Sequence, residues 1–103
     1  MTPVPVLSAD EVQQRLTTLP GWTRQGDTIT KTFRFATFPE GIACIGHVAD
    51  IAEAQQHHPD IDIRYTAVTF TLSTHDSGGI TAKDFLLAGE IDGCVGRCGG
   101  KGV

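Results

Sequence analysis

The stretch Ile61-Asp62-Ile63-Arg64-Tyr65-Thr66-Ala67-Val68-Thr69-Phe70-Thr71-Leu72 decides the fold, because its apolar alternation changes phase partway along. Ile63 and Tyr65 occupy odd positions, whereas Val68, Phe70 and Leu72 occupy even ones. Successive strand residues face opposite sides of a sheet, so a one-residue slip would turn every side chain over. A bulge or tight turn near Tyr65-Thr66-Ala67 must therefore intervene. The spacing predicts a short strand over 61–64 and a longer one over 67–74, joined as a hairpin and hence antiparallel.

A second hairpin lies upstream. Trp22 opens it, the turn falls at Gln25-Gly26-Asp27, and the arm from Thr28 to Phe35 places Ile29, Phe33 and Phe35 on one face. Between the hairpins, Thr37-Phe38-Pro39-Glu40 reads as a capping box with proline harmlessly in the first turn. Phe38, Ile42, Ile45, Ala49 and Ala52 then recur at a helical period, and Cys44, Val48 and Ile51 widen that face. A face this wide implies contact with both the sheet and a second subunit. Gly41 and Gly46 would allow close helix approach. Pro59 ends the helix and biases His58 towards extended geometry.

Two further helices complete the pattern. Ser8 and Glu11 form a capping box, with Leu7 and Val12 as its hydrophobic staple. Val12, Leu16 and Leu19 give the apolar stripe, and Pro20-Gly21 stops it. Downstream, His75-Asp76-Ser77-Gly78-Gly79 reads as a loop, after which Thr81 and Asp84 cap a helix carrying Phe85, Leu86, Ala88 and Ile91. The predicted order is α-β-β-α-β-β-α. The fold class is α+β, a four-stranded antiparallel sheet with helices packed on one face. Residues 1–103 are expected to form a single domain with its core at about 8–92, followed by a flexible Gly/Cys tail over 93–103.

Composition narrows the function classes. Hydrophobic residues make up 40% and charged residues 19%, the balance of a globular chain rather than a disordered one. A net charge of −4 with no basic run argues against gripping nucleic acid. No apolar stretch is long enough for a membrane helix, and the start Met1-Thr2-Pro3-Val4-Pro5-Val6 lacks the features of a secretion signal, so the cytoplasm is the expected compartment. Three cysteines do not form a disulfide framework. Cys44 reads as a small core residue. Cys94 and Cys98, spaced C-x3-C, are two ligands at most and make a weak metal site.

Three of the four histidines fall at structural breakpoints. His57 is expected in the last helical turn, where unpaired carbonyls favour positive charge. His58 begins an extended segment, and His75 leaves a strand for a glycine loop. Glu53 lies four residues before His57 and would share its helix face, while Asp84 follows the His75 loop. Imidazoles beside carboxylates suit general acid–base work. The bland alternative is surface decoration at a helix end, with Glu53 a solvated charge and Asp84 only a cap. His47 is read that way. A zinc site is the other alternative, but adjacent residues at a helix end diverge, and no H-x3-H or C-x2-C pair supports it. No metal is expected at these histidines.

The combined pattern resembles the pterin-4a-carbinolamine dehydratases. It consists of Glu53, three residues, His57-His58-Pro59, then Tyr65, Ser73-Thr74-His75-Asp76, Gly78-Gly79 and Thr81 through Asp84. Gly21-Trp22, Phe33, Phe35, Phe38 and Ala52-Glu53 extend it, so that it covers roughly residues 8 to 92. The resemblance implies dehydration of a 4a-hydroxytetrahydropterin to the quinonoid dihydropterin, by a homodimer or homotetramer that needs no cofactor. By the same resemblance His57, His58 and His75 are catalytic, Gln56, Ser73, Thr74 and Asp76 bind substrate, and Glu53 and Asp84 orient the rings. Some animal members also stabilise a transcription-factor dimer, so a protein-interaction role is the alternative. Ile61 stands where family members often carry an aromatic residue, and the tail beyond Asp92 matches nothing in the pattern.

Overall fold

The computed structural model describes residues 4–103. Met1-Thr2-Pro3, part of the start considered above as a leader, lies outside the described residues. The elements are α1 (Ala9–Leu16), β1 (Thr23–Gln25), β2 (Thr28–Arg34), α2 (Phe38–Gln55), β3 (Asp60–Arg64) and β4 (Ala67–Leu72). One turn of 3-10 helix (His75–Ser77), α3 (Ala82–Arg97) and β5 (Lys101–Gly102) follow. The phase change is resolved by a two-residue turn, Tyr65-Thr66, which sets Arg64 opposite Ala67. Tyr65 is left-handed there, with φ 54°. All strand pairings are antiparallel, in the order β1-β2-β4-β3, with β5 also on β2.

Strand alternation gives the sheet two unlike faces. Ile29 and Phe33 of β2 pair with Leu72 and Val68 of β4, and all four are buried with Phe70. They form one core with Val12 of α1, Cys44 and Val48 of α2, and Phe85, Leu87, Ala88 and Ile91 of α3. The helices therefore cover this one face. The other face carries threonines, with hydroxyl contacts of 3.2 Å between Thr30 and Thr71 and 2.7 Å between Thr32 and Thr69. The α+β class and the antiparallel sheet thus agree with the sequence reading.

Three expectations are corrected. First, α2 buries Gly41, Cys44, Val48 and Ala52, while Phe38, Ile42 and Ala49 of the expected stripe are exposed. Small residues win because they let the helix sit close to the sheet. A Cβ at Gly41 would already stand 3.4 Å from the Phe35 ring. Thr37 caps this helix by accepting from the Glu40 N–H, which is one half of the anticipated box. Second, Leu87 rather than Leu86 enters the core; Leu86 is exposed. Third, the tail is packed rather than loose. Helix α3 runs to Arg97, Cys94 and Val95 are buried, and Lys101–Gly102 adds a fifth strand. Cys94 and Val95 extend the Ile91 stripe by three and four residues, which keeps the helix docked past its glycines.

Candidate active site

The end of α2 is shaped by a single left-handed residue. Gln56 has φ 53°, its N–H bonds to the Glu53 carbonyl, and the His57 N–H reaches back to the Ala52 carbonyl. This is the paired closure of a Schellman motif. It turns His57 out of the helix, so the expected last-turn position is corrected. What holds the ring is not the helix end but Asp84. His57 is buried, and its Nε2 lies 2.6 Å from Asp84 Oδ1.

Asp84 itself is fully buried at the start of α3. Its Oδ2 accepts from the Thr81 N–H at 2.9 Å and from the Thr74 hydroxyl at 3.0 Å. Thr74 Oγ1 and Thr81 Oγ1 are 2.7 Å apart, and Thr81 Oγ1 also accepts from the Lys83 N–H. Because Thr74 gives its hydrogen to Asp84, the Thr81 hydroxyl must donate to Thr74. With two donors already on the carboxylate, His57 acts as the third and carries its hydrogen on Nε2. Nδ1 is then the nitrogen not committed to Asp84.

The other groups converge by loop geometry. After β4, Thr74 bridges to Gly79 around the 3-10 turn, which Gly78 closes at φ 78°. That turn carries His75 and Asp76 back over the end of α2. A cavity of about 160 Å³ is lined by Gln56, His57, His58, Ser73, Thr74, His75, Asp76 and Lys83. The three histidines and all four expected substrate-contacting residues therefore meet at one site. Glu53 and Asp84 stand behind the lining. Glu53 pairs with His58, at 3.2 Å, instead of with His57, and both partners are exposed. Ser73 also donates to the Asp27 carbonyl in the first hairpin's turn, which ties the sheet to the site. Lys83 was not anticipated. A cation in the first turn of a helix works against the helix dipole, and that local misfit is the signal that could have singled it out. His47 lies elsewhere, on a separate cavity.

The fold and the cavity define an α+β protein with a histidine cluster of which His57 is anchored to a buried carboxylate. The chain belongs to the Pterin 4 alpha carbinolamine dehydratase family, whose model matches residues 5–94. A protein of Roseiflexus castenholzii carrying that dehydratase description provisionally is 56% identical over 87 residues, covering 84% of this chain and 94% of its own length. One from Chloroflexus aurantiacus, described in the same provisional way, is 50% identical over 93 residues and covers 90% of this chain and 100% of its own. Among solved structures, the transcriptional coactivator/pterin dehydratase from Brucella melitensis is similar with a TM-score of 0.83 at 30% identity, covering 86% of this chain and 97% of that one. A pterin dehydratase-like protein identified as a RuBisCO assembly factor in the alpha-carboxysome is similar with a TM-score of 0.63 at 25% identity, covering 74% and 90%.

Proposed function

We propose that the protein eliminates water from a 4a-hydroxytetrahydropterin to give the quinonoid dihydropterin, by histidine general acid–base catalysis. In this reaction the C4a–O bond breaks and the hydroxyl leaves as water after gaining a proton. N5 loses its proton, and its electrons form the new double bond to C4a. Groups that exchange protons with both atoms avoid a free charged intermediate. His57, with Nε2 occupied by Asp84, offers Nδ1 to take the N5 proton. His58 and His75 face the same cavity and supply the proton to the leaving hydroxyl. Gln56, Ser73, Thr74 and Asp76 provide polar groups for the pterin edge, and no electrons need an outside acceptor.

The observation that carries this reading is the meeting of His57, His58 and His75 on one cavity, with His57 fixed by a buried aspartate. The test is to add the protein to freshly generated 4a-hydroxytetrahydropterin and follow dehydration by absorbance. The expected outcome is acceleration that chelators do not change, with a loss on the order of 100-fold in His57→Ala and in His75→Ala. Unchanged rates in both variants would remove the mechanism.

A second reading, as a protein-interaction module, is favoured by exposed apolar side chains. Phe38 and Ile42 on α2 are 44% and 42% exposed, and Ile61 and Ile63 on the edge strand β3 are 37% and 41%. Self-assembly into a homodimer or homotetramer would cover the same residues and accompanies the enzyme reading. Sedimentation of the pure protein separates the two. An assembly lost in a Phe38→Ser, Ile42→Ser double variant supports self-assembly, whereas a single chain in solution leaves those side chains for a partner.

A further inference from the structure

We propose that Cys44, Cys94 and Cys98 form a thiolate site for a thiophilic divalent cation of the zinc type. Cys44 comes from α2, Cys94 lies in the last turn of α3, and Cys98 caps that helix four residues on. Their three sulfur atoms all lie within 4.8 Å of one another, and all three cysteines are free. Tetrahedral zinc with Zn–S bonds of about 2.3 Å needs sulfurs roughly 3.8 Å apart. The thiols thus need to close in by about 1 Å or less, within reach of small side-chain rotations.

The surroundings suit an ion rather than a dry core. A cavity of about 370 Å³, lined by His47, Asp50, Ile51, Cys94, Arg97 and Cys98, opens beside the sulfurs. It provides an entry path and room for a water molecule as the fourth ligand. Charge favours a divalent ion. Three thiolates with a divalent ion carry one net negative charge, while Arg97 and Asp50, which line the same cavity, offset one another. A monovalent ion would leave two. The sulfurs bind by exchange: three S–H bonds break, three S–metal bonds form and three protons pass to solvent. The ion would clamp α2 to the last turn of α3. This site shares no lining residue with the histidine cavity, so it is independent of the dehydratase reading.

The test uses the full chain, reduced and stripped of metal, with its free thiols counted before titration. Zn²⁺ is titrated in competition with a chromogenic chelator, and Co²⁺ serves as the spectroscopic probe. One equivalent per chain is expected, with sulfur-to-cobalt charge transfer, the d–d bands of a tetrahedral site, and a higher melting temperature with Zn²⁺. Cys98→Ser, at a half-buried position, should fold by circular dichroism, keep the dehydration rate and lose the charge-transfer band. Cys94→Ser should lose it too. The proposal is overturned if the reduced protein shows no charge-transfer band, if Cys98→Ser binds as tightly as the parent, or if the thiols pair as a disulfide under these reducing conditions.

Discussion

The contact between His57 and Asp84 is only as firm as the bonds that hold the carboxylate. Thr74 and Thr81 both donate to it, so the ring is positioned by groups on two separate segments, the loop after β4 and the start of α3. In Asp84→Asn, an amide NH2 must face either those donors or His57 Nε2. The first leaves buried donors without an acceptor. The second forces the hydrogen of His57 onto Nδ1, the nitrogen that the proposed reaction needs free. The variant should lose about 1–3 kcal/mol of stability. It should also lose on the order of 100-fold in kcat with little change in KM, because a misplaced hydrogen acts on proton transfer more than on binding. Urea unfolding and steady-state kinetics check the two effects, and an unchanged kcat would mean that the tautomer does not matter. At this scale the sequence was informative where residue chemistry is local. Asp84 was legible as a cap because Thr81 precedes it by three residues. The pairing of Glu53 with His58 was not, since it depends on how the chain leaves the helix.

Helix ends account for most of what could and could not be read at the next scale. Pro59 marks a stop, yet the helix ends at Gln55, because Gln56 takes up a left-handed conformation usually left to glycine. Nothing in a glutamine announces that, and a non-glycine residue there costs roughly 1–2 kcal/mol. The cost is accepted at the residue that throws His57 and His58 onto the cavity, which is where strain is often kept. The start of α1 is the opposite case. Ser8 and Glu11 exchange both bonds of the capping box, as their spacing alone indicates. Hydrogen bonds from the Ser8 backbone and hydroxyl hold the Glu11 carboxyl below its ordinary value of 4.5. A carboxyl lowered in the folded state stabilises above its ordinary value, and that support is lost as pH falls through the lowered one. Glu11→Gln keeps the shape of the box without the titration. Its deficit in urea midpoint against the parent should therefore be seen at about pH 6 and shrink at about pH 3. A deficit that grew on acidification would contradict the sign.

Over the whole molecule, the strand phase change and the two hairpins were legible because sheet faces follow a strict period of two, and one turn residue more or less inverts them. The rotation of α2 was not, because a helix with apolar residues around most of its girth can dock by several faces, and close approach at Gly41 and Cys44 decides among them. The tail misled for a related reason. Glycines over 93–103 suggest looseness, but here at least one serves contact. Gly100 donates to the Val95 carbonyl at 3.0 Å. A Cβ added to it would stand 2.6 Å from Val95 Cγ1 and 2.7 Å from Phe35 Cε1. Both neighbours are buried and have little room to retreat. The approach lets the chain turn back after α3 and lay Lys101–Gly102 against β2, closing the helix onto the sheet edge. Gly100→Ala should therefore cost about 1–3 kcal/mol, the usual penalty for overpacking a dense core. Gly96→Ala is the control: among the described residues nothing lies within 4 Å of its Cβ position, and as an exposed helical site it should gain up to about 1 kcal/mol from the better helix former. Thermal unfolding of the two variants separates the readings. If the tail were a loose appendage, Gly100→Ala would melt with the parent protein; if it completes the core, that variant alone falls below it.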